Sequence, residues 1–459
     1  MAKYIVVGGG PVGCLAALQL AKNGHQVTVY EGRSEIPNDP EQSYPIGVNP
    51  RGLHAIASAA PEVTARIRND ARVIDSIEIF AGQKLVAKLP SGLTYGTSRG
   101  NVNLFLWEAC SKQPEKITLV KNHRLHSMDF TAKTLTFDVV EDGNVAQQVT
   151  VDASDSRIVG ADGVHSAVRR SMEAADPTFK VTVTPWVNQY RVLFGGIGQL
   201  NDDMDVGINY LFSSGYFAAT IDNSGQLQWT LSTMVRSADP PSSLSQVVKE
   251  TEATPENIDK LKRWIETIAP RFLPLVPDDE WAKYFTRRSY SGAVVECSRF
   301  NHGEWIVLLG DAAHALLPPT AEGINSGLDD ALVLGECTAQ GVDGSFERYN
   351  TTRYPDIQAI LVYAKHLNQA PSFAGERIAR ILFRMIESSS NDSIAKSLFG
   401  PLSENRWPYR KIVESWQWRR AVWLNLSRVL AYPLAAIGTI VMLPASCFKA
   451  AKSTKAKEV

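Results

Sequence analysis

The stretch Tyr4-Ile5-Val6-Val7-Gly8-Gly9-Gly10-Pro11-Val12-Gly13 decides how the rest of the chain is read. A short apolar run rich in β-branched residues stops at three glycines, and an apolar helical pattern (Leu15, Leu18, Leu20, Ala21) carries on to Gly24. That order predicts strand, tight turn and helix. A second strand, Gln26-Val27-Thr28-Val29-Tyr30, ends at Glu31, with Arg33 beyond it. An acidic residue roughly twenty positions past such glycines completes a dinucleotide-binding fingerprint. Each glycine has a mechanical reason: Gly8 permits the turn, Gly10 lets backbone approach a pyrophosphate, and Gly13 lets the helix pack close to the strand. Pro11 and Val12 lie in the same turn, where the helix start offers unpaired N–H groups to an anion. Glu31 is placed to accept from a ribose hydroxyl.

The chain has 459 residues, 44% hydrophobic and 21% charged, with a formal net charge of -1. It is long enough for two domains and a substantial core. Nucleic acid is excluded as a partner, since no basic stretch interleaves with aromatics in the body of the chain. Five cysteines (Cys14, Cys110, Cys297, Cys337, Cys447) stand far apart without C-x-x-C spacing. Neither a disulfide framework nor a zinc site is expected, and free thiols point to a reducing, intracellular compartment. The first strand begins at residue 4, which leaves no room for a cleavable leader ahead of it.

Further along, Tyr44-Pro45-Ile46-Gly47-Val48-Asn49-Pro50-Arg51-Gly52 leads into a helix. It reads either as a cofactor-lining loop ending at Arg51 or as a connector capped by Asn49-Pro50. Residues Val73 to Leu89 alternate as strands around a turn at Ala81-Gly82. Arg99 stands at the start of the next helix, where a cation is electrostatically out of place unless an anion is nearby. Ile158-Val159 then ends at Gly160-Ala161-Asp162-Gly163, with Ser166 and Arg169 on the helix that follows. Lys180 to Met234 is dominated by strand alternation, with a hairpin turn at Asp222-Asn223-Ser224-Gly225, and predicts a second sheet, all antiparallel. Pro240 to Leu273 reads as a helix pair. The strand Trp305-Ile306-Val307-Leu308-Leu309 meets a third turn, Gly310-Asp311-Ala312-Ala313-His314, with Pro318, Gly323, Ile324 and Asn325 before another helix. All three glycine turns end a strand and begin a helix, so they are expected to meet at the carboxyl edge of one sheet.

This ordered set of motifs, over roughly residues 4 to 370, resembles the flavin-dependent aromatic hydroxylase superfamily of FAD-dependent monooxygenases. Within it, the Arg51-Gly52 loop, Tyr95-Gly96 and the Leu309-to-Ala331 stretch look most like the kynurenine 3-monooxygenase-like group. The resemblance implies an α/β fold: a Rossmann-like FAD-binding domain, an inserted antiparallel-sheet substrate domain, and a C-terminal helical and hydrophobic tail. The expected division is 1–72, 98–180 and 286–350 for FAD, 73–97 and 181–285 for substrate, 351–427 for C-terminal helices and 428–459 for the tail. It also implies non-covalent FAD, with Gly8, Gly10 and Gly13 at the pyrophosphate, Glu31 at the adenosine ribose, and Pro11, Val12 and Arg33 among the cofactor-binding residues. Arg51 and Arg99 fall at the phosphate and ribityl region, Asp311 on the ribityl chain, and Pro318 with the backbone of Gly323, Ile324 and Asn325 at the pyrimidine edge. Asp162 and Gly163 belong to a motif associated with both FAD and NADPH. The implied reaction uses NADPH or NADH to reduce the flavin, adds O2 at C4a, and passes the distal oxygen to a small molecule. No side chain is assigned as catalytic; Tyr95 is a candidate substrate contact, and His314 is read as structural.

The sequence departs from that group at the substrate. The loop glycine two positions before Gly323 is Ala321, and no Arg or Lys occurs between Arg72 and Lys84 to hold an amino-acid carboxylate. The expected substrate is therefore an aromatic or other apolar molecule and not kynurenine. Alternatives are an epoxidase or oxidase of a lipid or isoprenoid, and an FAD-binding membrane-associated interaction protein without turnover. From Val429 to Leu443 the chain is apolar and uncharged, and Lys449, Lys452, Lys455 and Lys457 follow. This tail is expected to associate with a membrane, with the catalytic domain facing the cytosol; eukaryotic members of the resembled group end similarly.

Overall fold

The computed structural model describes residues 1–36, 45–368, 406–422 and 425, apart from 82, 142, 200, 213, 222–225, 238, 318 and 319. In chain order, β1 (Lys3–Val7), α1 (Pro11–Lys22) and β2 (Gln26–Tyr30) form the opening unit. β3 (Pro45–Val48), α2 (Pro50–Ala57), α3 (Pro61–Asp70), β4 (Arg72–Ala81), β5 (Lys84–Ser98) and α4 (Arg99–Ser111) follow. Next come β6 (Ile117–Val120), β7 (His123–Asp129), β8 (Thr134–Glu141), β9 (Asn144–Asp152), β10 (Ser156–Gly160) and α5 (Ala167–Ala175). The second half runs through β11 (Val181–Phe194), β12 (Ile208–Phe212), β13 (Gly215–Ile221), β14 (Leu227–Val235), α6 (Pro255–Ile268) and α7 (Glu280–Thr286). β15 (Tyr290–Cys297), β16 (Asn301–His302), β17 (Ile306–Leu308), α8 (Gly323–Ala339) and α9 (Ser345–Asn368) complete it, with a last helix, α10, over 409–422.

Three sheets result. The first has the order β16-β17-β10-β1-β2-β6, and its five strands from β17 to β6 run parallel. β1 is wholly buried beyond Lys3, as a strand covered on both faces requires. The turns after β1, β10 and β17 therefore leave neighbouring strands at one edge. The second sheet has the order β15-β11-β14-β13-β12-β4-β5-β3, and β7-β8-β9 form a small third sheet.

Two expectations are corrected. The second sheet is not all antiparallel: β12 pairs β4 in parallel, Ile208 opposite Ser76 and Leu211 opposite Ile79. These strands come from distant parts of the chain, so no hairpin forces them antiparallel. Of the helix pair expected over 240–273, the first member is a six-residue 3-10 segment, Leu244–Lys249, capped by Ser243, and only α6 is an α-helix. The second sheet also recruits β3 and β15 from stretches that the sequence pattern assigns to the nucleotide-binding part.

One face of the second sheet carries Leu193, Leu231 and Phe217, which join Trp264, Ile265 and Phe272 in a core of their own. The opposite face turns toward the larger core built on the first sheet, against which Tyr95, Tyr190 and Met234 pack. The hairpin turn at 222–225 and the tail at 428–459 lie outside the described residues.

Candidate active site

The glycine fingerprint works as its spacing requires. Gly8 has φ +103°, and a Cβ on it would strike the Ala161 carbonyl; a Cβ on Gly13 would strike the Gly8 carbonyl. These two positions are glycine because strand, turn and helix touch backbone to backbone. Val12 fills the space left by Gly310 and Gly327, so the first turn, the third turn and α8 share one contact. The middle turn joins them: Ala161 N donates to Val7 O (2.8 Å) and Leu309 N to Gly160 O (2.9 Å). Arg169 fastens it further, donating to Ala312 O (2.8 Å) and Val164 O (2.6 Å). The three turns thus converge, as expected.

At that edge, α1 and α8 both begin without a side-chain cap, leaving N–H groups and a positive helix end available to an anionic ligand. Glu31 is buried and accepts from Gly9 N (2.8 Å), Arg33 N (2.9 Å) and Arg33 Nε (2.8 Å). Burial pushes its carboxyl up, but Arg33 and these amides outweigh that and hold it below the ordinary range. Asp162 caps α5, Oδ2 accepting from Ala167 N (2.6 Å) and Val168 N (3.2 Å), and burial pushes its carboxyl up. Asp311 opens onto the cleft, close enough to Arg99, His314 and Arg169 to feel their charges.

Arg99, half-buried at the first position of α4, makes no salt bridge among the described residues. Arg51 is differently engaged. Its guanidinium reaches Asp329 Oδ2 (3.1 Å) and Trp407 O (2.6 Å) and lies 4.2 Å from the Tyr409 ring centre. Asn49 caps α2 by accepting from Arg51 N and Gly52 N, as the connector reading expects. Asn325 bridges α8 to this connector: its Oδ1 accepts from Asn49 N (3.0 Å) and its Nδ2 donates to Gly47 O (3.0 Å). Gly323 and Ile324 open the helix beside it, and Ile324 packs on the large core. Tyr95 pairs with Val48 and Val73 at the join of β3, β5 and β4. Pro318 lies outside the described residues.

His314 is buried, with Nε2 2.6 Å from Asp330 Oδ2. Asp330 also accepts from Gly310 N (2.8 Å) and from Arg353 Nε (2.8 Å). Burial raises the Asp330 carboxyl, yet His314 and Arg353 prevail and hold it low. Sequence reading missed Asp330, Arg353 and Glu322, which brace the cleft from behind; an Asp or Glu on a helix carries no local sign of a partner far along the chain.

FAD fits these residues on the structure's own terms. A Cβ at Gly10, Gly163 or Gly323 would meet nothing within 4 Å, so three glycines border open space beside the two uncapped helix starts. Asp162 Oδ1 is buried without a partner among the described residues, and Arg99 supplies a cation. No group of His, Cys, Asp and Glu among the described residues could hold a metal ion.

Known proteins agree. The FAD binding domain family matches residues 1–362. The kynurenine 3-monooxygenase of Sus scrofa is 27% identical over 478 residues, spanning 97% of this chain and 92% of that protein. That of Neurospora crassa is 26% identical over 370 residues, 72% of this chain and 68% of the relative. Among solved structures, 2-methyl-3-hydroxypyridine-5-carboxylic acid oxygenase superposes with a TM-score of 0.62 at 20% identity, covering 80% of this chain and 91% of the other. Pseudomonas aeruginosa PqsL in complex with 2-aminobenzoylacetate gives 0.59 at 19% identity, with 79% and 95% covered. The chain belongs to the FAD binding domain family, and over nearly its whole length it is similar in sequence to kynurenine 3-monooxygenase.

Proposed function

We propose that the protein is an NADPH-dependent FAD monooxygenase that inserts one oxygen atom of O2 into an uncharged aromatic or other apolar small molecule, and that kynurenine is not its substrate. One observation carries the substrate class. On the face of the second sheet that turns toward the FAD-binding core, register places Tyr190, Val192, Tyr216, Ser232 and Met234 side by side. None is charged. A free amino acid brought against these five residues would find no cation among them to match its carboxylate, a costly burial; Arg288 stands at the margin, 5.6 Å from the ring of Tyr290, which stacks on Tyr190.

FAD, when bound, supplies electron storage and O2 activation. The chain's own part is positional. The α1 start and Arg99 favour the phosphates, Asp162 Oδ1 is an acceptor for a ligand hydroxyl, and the α8 start favours negative charge at the pyrimidine edge. The sheet wall keeps water from the substrate. Membrane association through 428–459 belongs to the same proposal. Among the described residues, no helix is long and apolar enough to cross a membrane.

The test is a panel of uncharged aromatics and lipids scored for faster NADPH consumption by the FAD-loaded protein, with mass spectrometry for an added oxygen. Ring hydroxylation of an uncharged aromatic is the expected outcome, whereas an epoxide from a lipid would favour the epoxidase reading. Kynurenine titrated into the holoenzyme should leave the flavin absorbance unchanged; saturable micromolar binding would contradict the substrate assignment.

A further inference from the structure

Glu322 is a carboxyl group that the proposed chemistry leaves unused. It stands at the start of α8 with 0% of its surface exposed, and other elements take both its oxygens. Oε1 accepts from Asn49 Nδ2 (2.8 Å) before α2, and Oε2 accepts from Tyr409 Oη (2.5 Å) on α10. Arg51 makes a second fastening between the same parts of the molecule, through Trp407 O and the Tyr409 ring. α10 is thus tied at two points to the pieces that frame the cofactor loop. That loop is under strain. Ala321 holds φ +51°, a conformation that a residue with a Cβ keeps only when its surroundings over-determine it.

We propose that α10 is a latch on the flavin-side loop: the Tyr409–Glu322 and Trp407–Arg51 bonds hold residues 320–325 in the shape that takes FAD, so that docking of α10 and binding of FAD strengthen each other. The latch rests on the FAD-site reading above. Glu322 and Tyr409 are positioning residues in it. The charged and titratable groups around Glu322 are Arg51 from α2, Asp329 from its own helix and Tyr409 from α10, with Arg353 of α9 beside Arg51. Arg51 and Arg353 both pair with Asp329, and Arg353 also pairs with Asp330. Burial pushes the Glu322 carboxyl up to about 7, outweighing Arg51, shared with Asp329, and the Tyr409 hydroxyl, which pull it down. Release of α10 would expose the carboxyl and move it from about 7 back toward its ordinary value of 4.5. The docked state therefore prefers the protonated acid, and the latch weakens as pH rises from about 4.5 to about 7.

The experiment uses the full chain stripped of FAD, with and without added FAD. Trypsin cleavage is scored by mass spectrometry at Arg406, Arg410 and Lys411, and FAD affinity by fluorescence quenching. FAD should slow cleavage at these sites roughly tenfold, and Tyr409→Phe should weaken FAD binding and the protection by the same factor, as reciprocal linkage demands. Wild-type affinity should fall between about pH 5 and about pH 7, while Glu322→Gln, which stays neutral, should bind FAD with no such dependence. The latch is overturned if FAD binds without altering cleavage, if folded Tyr409→Phe binds FAD as the wild type does, or if Glu322→Gln keeps the wild-type pH profile. A wild-type chain that takes no FAD at all overturns the functional reading instead.

Discussion

Ala321 stands where the resemblance leads one to expect a glycine, and it holds a backbone conformation that favours glycine. At φ +51° it occupies the left-handed region, which costs a residue with a Cβ about 1–2 kcal/mol. Its side chain is exposed, so no packing is gained from the methyl group. Ala321→Gly relieves that strain but gives the unfolded chain more freedom, a counter-effect of about 0.4–1 kcal/mol. The net expectation is a stabilisation of up to about 1.6 kcal/mol, read as a higher urea midpoint, with FAD affinity equal to or better than wild type. A lower midpoint would mean that the loop owes its shape to the alanine.

At the scale of the element, α8 is where the site is assembled. Its N-terminal end faces the cleft, its Gly327 admits Val12 of α1, and its Asp330 gathers Gly310, His314 and Arg353. Asp330→Asn removes the charge from a site with no exposed surface and leaves Arg353 to Asp329 and the more distant Asp356. Breaking a buried pair from one side costs about 3 kcal/mol or more, so the urea midpoint should fall by an equivalent amount and the turn at Gly310 should loosen. An unchanged midpoint would show that Asp329 and Asp356 suffice. The start of α8 and the three turns were legible in the sequence because strand, glycine and helix signals are local. The Asp330 brace was not, since its meaning lies in Arg353 on another helix. Glu322 is harder still: its partner Tyr409 is 87 residues away, on a helix whose docking leaves no mark in the pattern around residue 322. The parallel β12–β4 pair escaped for the same reason, because alternation tells which face a strand buries and not which neighbour it chooses.

For the whole molecule, these buried carboxyl groups set opposite arms of the stability profile. Glu31 and Asp330 titrate below their ordinary values in the folded chain. Their stabilisation is present above the unfolded values of 4.5 and 3.8 and is lost as pH falls through the depressed ones. Glu322 acts the other way. Raised from 4.5 to about 7, it favours the folded chain fully below 4.5 and loses that contribution as pH rises to about 7. The gap corresponds to on the order of 3 kcal/mol. Unfolding free energy, measured by urea titration from about pH 4 to about pH 8, should therefore decline through the upper part of this range even though most carboxylates are already ionised. Glu322→Gln should remove that decline and leave the acid arm untouched, so that the variant gains on the wild type as pH rises. Parallel profiles for the two proteins would mean that the Glu322 carboxyl is ionised in the folded chain at low pH too, stabilised by Arg51 and the α8 N-terminus more strongly than burial opposes it.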